Sequence, residues 1–386
     1  MQKAEVVLSI LSEQSKINKD YRFDRLYRNF FNEDFYLHAY KELLNHEKSY
    51  KNISLDCSTI KEQIILMKKE GYKTLLKKKN KNTNDDLFIN LLLRITNILL
   101  RKIYEPLFLK YSYALSQPVH HYTPLKQIKI IGSRKNWVIQ GNIDKASVAS
   151  DHNSLAFLSI KINDGRILEL IKSFIATGYR IPVITDIYLY TIDQQINNKC
   201  TEKVFYCRYE ENLLFLIDST KKEALEIQEE LNRTISNVTK GTWSYQLTNW
   251  NDQSFIFLDY EIRKNKLVHS KESNVQLLVP SSKIKEKIKP FTAQGKPRHH
   301  NRRINLPTRE IVKLYNDEIT QLYQYYGLAE DVKKKIRSFR YYHYRSLLKT
   351  IARKEKSTVP KIIKKYAFSI NEKIDCDQYF YQFVCK

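Results

Sequence analysis

The segment Tyr206–Leu216, YCRYEENLLFL, places two adjacent carboxylates at a predicted strand turn. Its apolar and aromatic flanks predict two short strands, and Glu210, Glu211 and Asn212 form the polar tip between them. Carboxylates grouped in this way are the residue types that hold a pair of divalent metal ions for nucleotidyl transfer. The pattern leaves three interpretations open: a catalytic metal site, the remains of one, or an ordinary charged turn.

Other residue types that bind metals or phosphates form no recognisable motif in this sequence. The cysteines stand at positions 57, 200, 207, 376 and 385 without a CxxC pair, and their odd number favours a reducing compartment. The pairs His120–His121 and His299–His300 lack the spacing of a metal site, and no GxxxxGK[ST] or GxGxxG loop occurs. We therefore predict no bound metal and no cofactor.

The composition indicates a folded protein with a polyanionic partner. Hydrophobic residues make up 42% of the 386 residues, enough for a substantial core, and no run of apolar residues is long enough to predict a membrane span. The net charge of +24 at pH 7 makes nucleic acid a better partner than a membrane. Residues 271–386 contain 26 Lys and Arg against 11 Asp and Glu, so this segment alone has a net charge of +15.

Hydrophobic periodicity predicts three regions and an α+β fold. Residues 1–127 are predicted to be mostly helical, with a basic loop at 73–86. Residues 128–270 mix strands with helices, and residues 271–386 are helical and basic.

The middle region contains the predicted strands. IKIIGSRKNWVIQGNID, from Ile128, predicts strand and turn, and QSFIFLDYEIRKN, from Gln253, predicts a further strand. DGRILELIKSFIATGY predicts a helix that ends at Gly178, and STKKEALEIQEELNRTIS predicts a helix capped by Ser219 or Thr220. The hairpin at 206–216 lies between these two helices in the sequence.

Residues 330–356 predict a long helix with two different sides. The residues suited to packing gather on one side: Ile336, Phe339, His343, Leu347 and Ile351. Cations interleaved with tyrosines fall within about 100° on an adjacent side, at ~3.6 residues per turn: Lys333, Arg337, Arg340, Tyr341 and Tyr344.

Cations next to tyrosines are suited to RNA, because cations bind phosphates and tyrosine rings stack on unpaired bases. The alternative is a solvated face whose tyrosines lie partly in the core. We count Arg345 and Lys349 of the same helix among the candidate RNA-binding residues. Arg302 and Arg303, next to His299 and His300, form a second candidate patch.

Six segments follow one another in an order that is typical of one protein family. They are YRFDRLYRNFFNEDFYLHAY (21–40), IYEPLF (103–108), WVIQGNIDKA (137–146), YCRYEENLLFLIDSTKKEALEI (206–227), FLDYEIRK (257–264) and INLPTREIVKLYNDEITQLYQYYGLAEDV (304–332). In this order they resemble segments of the group II intron reverse transcriptase/maturases. The resemblance implies fingers at 1–127, a reverse-transcriptase palm at 128–270 and a basic thumb, domain X, at 271–386.

The resemblance also assigns three metal-binding aspartates to positions where this chain has other residues. The aspartate of the family's G-D-I motif falls on Asn142, and those of its Tyr-Ala-Asp-Asp motif fall on Glu211 and Asn212. A neutral amide is a weak ligand for Mg²⁺, and glutamate places its charge one methylene further out. Asp144, two residues past Asn142, is a carboxylate that could replace one ligand. The resemblance thus implies a degenerate palm with vestigial positions only.

A degenerate maturase would bind intron RNA without a protein active site. It would hold a group II, or derived group III, intron in its splicing-competent fold by cancelling phosphate repulsion, while the RNA performs the chemistry. It would need no membrane and no DNA, and other splicing factors could join it. The alternatives are an active reverse transcriptase with an unusual metal site and a general structured-RNA-binding protein. Frequent Lys, Asn, Ile and Tyr indicate an A/T-rich genome, bacterial or organellar. Together with the resemblance, this leads us to expect a plastid (chloroplast) protein, with the bacterial cytoplasm as alternative.

Overall fold

Helices provide most of the regular structure of this protein, and strands form small sheets between them. The computed structural model describes residues 2–46, 57–73, 83–113, 121–143, 153–200, 202–239, 243–266 and 273–366. The chain divides into two units, Met1–His120 with Val138–Leu247 and His121–Trp137 with Thr248–Lys386. The mixture of helix and sheet confirms the predicted α+β class. The division into regions at 127/128 and 270/271 stays a prediction.

Within the described residues, the α-helices are α1 (Ala4–Ile17), α2 (Glu33–His46), α3 (Cys57–Glu70), α4 (Thr83–Tyr104), α5 (Tyr122–Ile131), α6 (Asn153–Lys161), α7 (Gly165–Ala176), α8 (Pro182–Lys199), α9 (Lys221–Thr239), α10 (Ser281–Ile288), α11 (Thr308–Tyr325), α12 (Val332–Lys354) and α13 (Val359–Tyr366). The strands are β1 (Ser112–Tyr113), β2 (Trp137–Asn142), β3 (Val204–Tyr209), β4 (Asn212–Ile217), β5 (Ser244–Asn249), β6 (Phe255–Phe257), β7 (Tyr260–Lys266), β8 (Ser273–Leu278), β9 (Thr292–Ala293) and β10 (Lys296–Pro297). None of these helices combines the length and apolar character that a membrane span requires.

The core of the first unit is mostly helical. Its fully buried side chains come from helices throughout the unit and include Phe35, Leu91, Leu99, Leu170 and Phe174. Apolar residues recur at helical spacing in α2, α4 and α7, so each of these helices turns one continuous apolar face inward. The prediction that the N-terminal region is mostly helical is therefore confirmed. Residues 74–82, which form most of the loop predicted at 73–86, lie outside the described residues, and residues 83–86 of that predicted loop are instead the start of α4.

Helix α7 ends at the glycine that the sequence singled out. Gly178 has φ of 86°, its N–H donates to the Ile175 carbonyl, and the Tyr179 N–H donates to the Phe174 carbonyl. These two hydrogen bonds form a Schellman motif, which satisfies carbonyls that the helix end would otherwise leave unpaired. The Tyr179 ring also packs edge-on against Phe174, with 6.1 Å between the ring centroids.

Replacing Gly178 with alanine should lower the free energy of unfolding by about 1 kcal/mol, because L-residues are strained at positive φ. Gly165, at the other end of the same helix, is the matched control. A Cβ would meet no atom within 4 Å at either glycine, and only Gly178 has a positive φ. Gly165→Ala should be neutral or stabilising by up to ~1 kcal/mol. Urea unfolding of the two variants checks this, and equal effects would exclude backbone strain as the cause.

The strands of the first unit form a five-stranded sheet in the order β1-β3-β4-β2-β5. Strands β3 and β4 are antiparallel, and Tyr209 pairs with Asn212 next to the turn. The predicted hairpin is thus confirmed, although Asn212 belongs to the second strand and the turn itself contains only Glu210 and Glu211. The predicted cap of α9 is confirmed for Thr220, which exchanges hydrogen bonds with Glu223 in a capping box.

Two predictions for strands were wrong in detail. Residues 128–131, predicted as strand, are the last turn of α5, because Leu125 and Ile128 lie on one buried helical face while Ile130 is exposed. The single strand predicted from Gln253 is a hairpin of β6 and β7. Leu258 and Asp259 form its turn, with φ of 49° and 56°. A hairpin turn with positive φ at both positions is predicted most strongly by Asn-Gly, so Leu-Asp is a weak signal for it.

The second unit combines the antiparallel sheet β6-β7-β8 with the helices α10 to α13. Its core is aromatic, since Phe291, Tyr315, Phe339 and His343 are buried against one another. The predicted helical character beyond residue 280 is confirmed.

Candidate functional site

The β3–β4 turn and the end of β2 bring together the three positions that the resemblance assigns to metal binding. The Asn142 side-chain amide donates to the Asn212 side-chain oxygen at 3.1 Å. The backbone N–H of Ile143 donates to the Glu211 carbonyl at 3.0 Å, which fixes β2 beside the turn. Asn142 is exposed, and Glu211 and Asn212 are half-buried. Asp144, the carboxylate considered as a replacement ligand, lies outside the described residues.

A buried ion pair supports this turn from below. Arg208 and Asp193 are both fully buried, with 2.7 Å between the guanidinium Nη2 and the carboxylate. A second guanidinium nitrogen, Nη1, donates to the Glu210 carbonyl at 2.9 Å, and Tyr206 donates its hydroxyl hydrogen to Asp193. Burial alone would lower the pKa of Arg208, but the adjacent Asp193 carboxylate raises it, so the guanidinium stays charged. Arg208 thereby holds Glu210 in its left-handed conformation, with φ of 53°.

The Mg²⁺ pair implied by the resemblance does not fit the residues at these positions. The two asparagines are hydrogen-bonded to each other, and only Glu211 of the three positions is a carboxylate. Two ions held ~3.5–4 Å apart require several anionic oxygen ligands. Among the residues that the structure describes, no group of three or more His, Cys, Asp or Glu could hold a metal ion.

Gly141, the residue before Asn142, is required by packing. It lies within β2, and a Cβ at this position would overlap the indole ring of Trp243. Trp243 is nearly fully buried, and its indole N–H donates to the Asn232 side-chain oxygen at 3.0 Å. The glycine therefore lets Trp243 cover the strand that carries Asn142.

Helix α12 has the packing side that the sequence predicts. All five residues of the predicted seam are at most 3% exposed: Ile336, Phe339, His343, Leu347 and Ile351. Leu348 and Ala352 are also buried, so the packed side widens toward the C-terminal end of the helix.

Helix α12 also carries an exposed stripe of four cations and one tyrosine at intervals of four residues, which winds from beside the packed side toward the opposite side of the helix. We call this set the α12 stripe: Lys333, Arg337, Tyr341, Arg345 and Lys349. The Tyr341 side chain is 54% exposed, and the Arg345 guanidinium lies 5.9 Å from the centre of its ring. Lys349 donates to the Pro297 carbonyl at 2.7 Å, which ties the end of the stripe to the β9–β10 hairpin.

Other residues of α12 differ from their predicted positions. Arg340 and Tyr344, predicted on the same face, are half-buried, and burial raises the pKa of the Tyr344 hydroxyl. Lys334 and Arg353 are exposed cations that the sequence analysis did not single out. Arg353 follows Lys349 by four residues, and this spacing could have revealed it.

The second predicted patch is split by the structure. Arg302 is exposed on the short turn Asn301–Arg303. Arg303 has a side chain that is only 12% exposed and forms two hydrogen bonds with the Glu318 carboxylate. Its guanidinium also lies 4.6 Å from the centre of the Tyr315 ring. The structure thus gives Arg303 a role within the protein, which differs from the RNA contact predicted for it.

Glu318 connects Arg303 to the buried His343. One carboxylate oxygen lies 3.0 Å from the His343 Nε2. Burial alone would raise the pKa of Glu318, but the hydrogen bonds from His343 and Arg303 outweigh it and lower the pKa to about 2. Burial lowers the pKa of His343 in spite of Glu318, so the ring is neutral at pH 7 and donates its Nε2–H.

Glu318→Gln should reduce stability at pH 7 and have less effect as the pH falls from 4.5 toward 2. A carboxyl group whose pKa is lower in the folded state stabilises the protein above its unfolded pKa and loses that contribution on protonation. The side chain is 36% exposed, so after allowance for solvent screening we expect about 1–2 kcal/mol. Urea unfolding of the unsubstituted protein and of Glu318→Gln, at pH 7 and at pH 3, measures how the loss of stability depends on pH. A cost that does not change with pH would contradict an ionic role.

Parts of this chain are similar to known proteins. The family model of the type II intron maturase matches residues 273–382. The group II intron-encoded protein LtrA of Lactococcus lactis subsp. cremoris is 25% identical over 480 positions, which cover 93% of this chain and 80% of LtrA. An uncharacterized 91 kDa protein in a cob intron of Schizosaccharomyces pombe is 28% identical over 237 positions, covering 51% of this chain and 29% of that protein.

These similarities include the residues of the α12 stripe and of the β3–β4 hairpin. The family match begins at β8 and contains α10 to α13, while the similarity to LtrA extends over most of both chains. The segment that contains the α12 stripe is therefore similar to the type II intron maturase domain, and most of the chain is similar to a group II intron-encoded protein.

Proposed function

We propose that this protein binds a folded group II, or derived group III, intron RNA through its maturase domain and thereby assists splicing. The observation that carries the proposal is the α12 stripe, which lies on the exposed side of a helix inside the matched maturase domain. A structural explanation of these residues is weak, because the buried side of the same helix already provides its packing. Exposed cations repeated every turn are instead suited to successive phosphates of RNA.

The stripe would act through electrostatics and stacking. Each cation that neutralises a phosphate releases a condensed counterion, so binding would weaken steeply with salt. Tyr341 presents a large exposed ring between Arg337 and Arg345, on which an unpaired base could stack. Such contacts would let intron segments approach one another, and the RNA would carry out the transesterifications.

Splicing of a group II intron transcript at limiting Mg²⁺ tests this proposal. We expect the full chain to accelerate splicing and to bind the intron more tightly than an unrelated structured RNA of equal length. Equal affinity for both RNAs, without acceleration, would favour a general structured-RNA-binding protein instead.

We further propose that the palm does not polymerise DNA. Support comes from the three positions that the resemblance assigns to metal binding. The side chains of Asn142 and Asn212 are hydrogen-bonded to each other, and Glu211 is the single carboxylate of the three. Primer extension on an RNA template with Mg²⁺ or Mn²⁺ should give no product above a control without protein. Template-dependent cDNA would instead support the alternative, an active reverse transcriptase with an altered metal site.

The cellular context remains part of the proposal. We propose that the protein acts in the plastid (chloroplast). We also propose that its partner is intron RNA and not DNA, and that other splicing factors associate with it. The frequent Lys, Asn, Ile and Tyr residues, which indicate an A/T-rich genome, support the first of these, and the charge of +24 supports an RNA partner.

A further inference from the structure

A cavity of about 670 Å³ lies in the second unit, and no residue of the α12 stripe lines it. Aromatic and apolar side chains form part of its wall: Phe291, Leu322, Tyr325, Tyr326 and Phe339. Its size falls in the range of sites for small organic ligands, and aromatic walls suit a planar group.

Two polar groups of the cavity could still accept hydrogen bonds from a ligand. Oε1 of Glu318 receives a hydrogen bond from Arg303, whereas Oε2 receives bonds from both Arg303 and His343. A carboxylate can accept about four hydrogen bonds, so Glu318 can accept one more from a ligand. The Nδ1 atom of His300 is buried and has no partner in another described residue, and it can accept a hydrogen bond in the tautomer with the proton on Nε2. A buried nitrogen in this state gains free energy when a ligand pairs with it.

Two lysines at the cavity can meet a phosphate, and two carboxylates, Asp259 and Glu286, line it beside them. Lys283 and Lys287 line it, and Lys283 lies 2.7 Å from the Asp259 carboxylate. Lys287 is exposed on α10. The cavity therefore combines an aromatic wall, an anionic acceptor and nearby cations, which are the three elements that recognise a nucleotide.

We propose that this cavity binds one unpaired nucleotide of the RNA and prefers a base with an exocyclic amino group, which donates to Glu318. The proposal rests on the RNA-binding function and adds a site to it. A carboxylate favours cytosine over uracil in this way, because cytosine has an amino group where uracil has a carbonyl oxygen. The base would lie against the aromatic wall, and its phosphate would face Lys287.

Cytidine and uridine monophosphates, titrated separately into the full chain, provide the test. The expected result by saturation-transfer NMR or calorimetry is at least about tenfold tighter binding of the cytidine nucleotide, as a hydrogen bond to a charged group provides. Glu318→Gln should bring the two affinities to within about twofold of each other, because an amide can donate as well as accept. Equal affinities in the unsubstituted protein, or no saturable binding of either nucleotide, would overturn the proposal.

A pair of substitutions on α11 avoids disturbing the bonds among Glu318, Arg303 and His343. Gln321 is exposed and lines the cavity, whereas Gln324 is exposed on the same helix and is not among the lining residues. Gln321→Trp should block the cavity and abolish binding of both nucleotides, while Gln324→Trp should leave binding unchanged. Identical behaviour of the two variants would place the nucleotide elsewhere and overturn the assignment. Because the assay contains no intron, absent nucleotide binding with intact intron binding overturns this proposal alone.

Discussion

Replacing Arg208 with methionine is expected to lower the free energy of unfolding by about 3–5 kcal/mol, since it leaves a buried carboxylate without its counter-ion. Asp193 is fully buried and, of the hydrogen bonds described above, would retain the one from the Tyr206 hydroxyl. The substitution also removes the donor to the Glu210 carbonyl, so the turn beside Asn142 should loosen. Urea unfolding followed by circular dichroism measures the cost.

Two further variants separate the ion pair from a general loss of packing. Lys203→Met removes a cation from an exposed pair with Glu223, in which the side chains are 61% and 42% exposed, and should cost less than ~1 kcal/mol. The double replacement Arg208→Met with Asp193→Leu should recover much of the lost stability, because no uncompensated charge remains. A cost below ~1 kcal/mol for Arg208→Met alone would contradict the assigned role of the pair.

The hairpin at 206–216 and the packing side of α12 could be predicted from the sequence because local patterns determine both. An apolar run flanked by a polar turn predicts a buried strand, and residues spaced by three and four predict one face of a helix. The resemblance also placed Asn142 beside Asn212, and the 3.1 Å hydrogen bond confirms that these positions meet.

The features that the sequence did not reveal depend on contacts between distant residues. Glu318 lies fifteen positions from Arg303 and twenty-five from His343, and only the fold brings the three together. The half-buried positions of Arg340 and Tyr344 have a similar origin, because the packed side of α12 widens where other elements cover it. For the end of α5, β-branched residues favoured a strand, and tertiary packing outweighed that local preference.

The largest effect on RNA binding is expected from removing three cations of the α12 stripe together. Lys333→Ala, Arg337→Ala and Arg345→Ala each remove an exposed side chain from a helix whose buried side is unchanged. If all three meet phosphates, the slope of log K against log salt should flatten by about 2–3 units, at ~0.7–0.9 per contact. Lys172→Ala, Lys221→Ala and Lys222→Ala provide a control with the same loss of charge on exposed residues of the first unit.

The salt dependence of intron RNA binding, measured for the unsubstituted chain and the two triple variants, tests the RNA-binding role most directly. We predict that the stripe variant stays folded, binds the intron more weakly and shows the flatter slope, while the control variant keeps the original slope. This difference would show that phosphate contacts are local to the stripe rather than a consequence of net charge. Equal slopes for all three folded proteins would contradict the account, because the α12 stripe would then make no contact with the RNA.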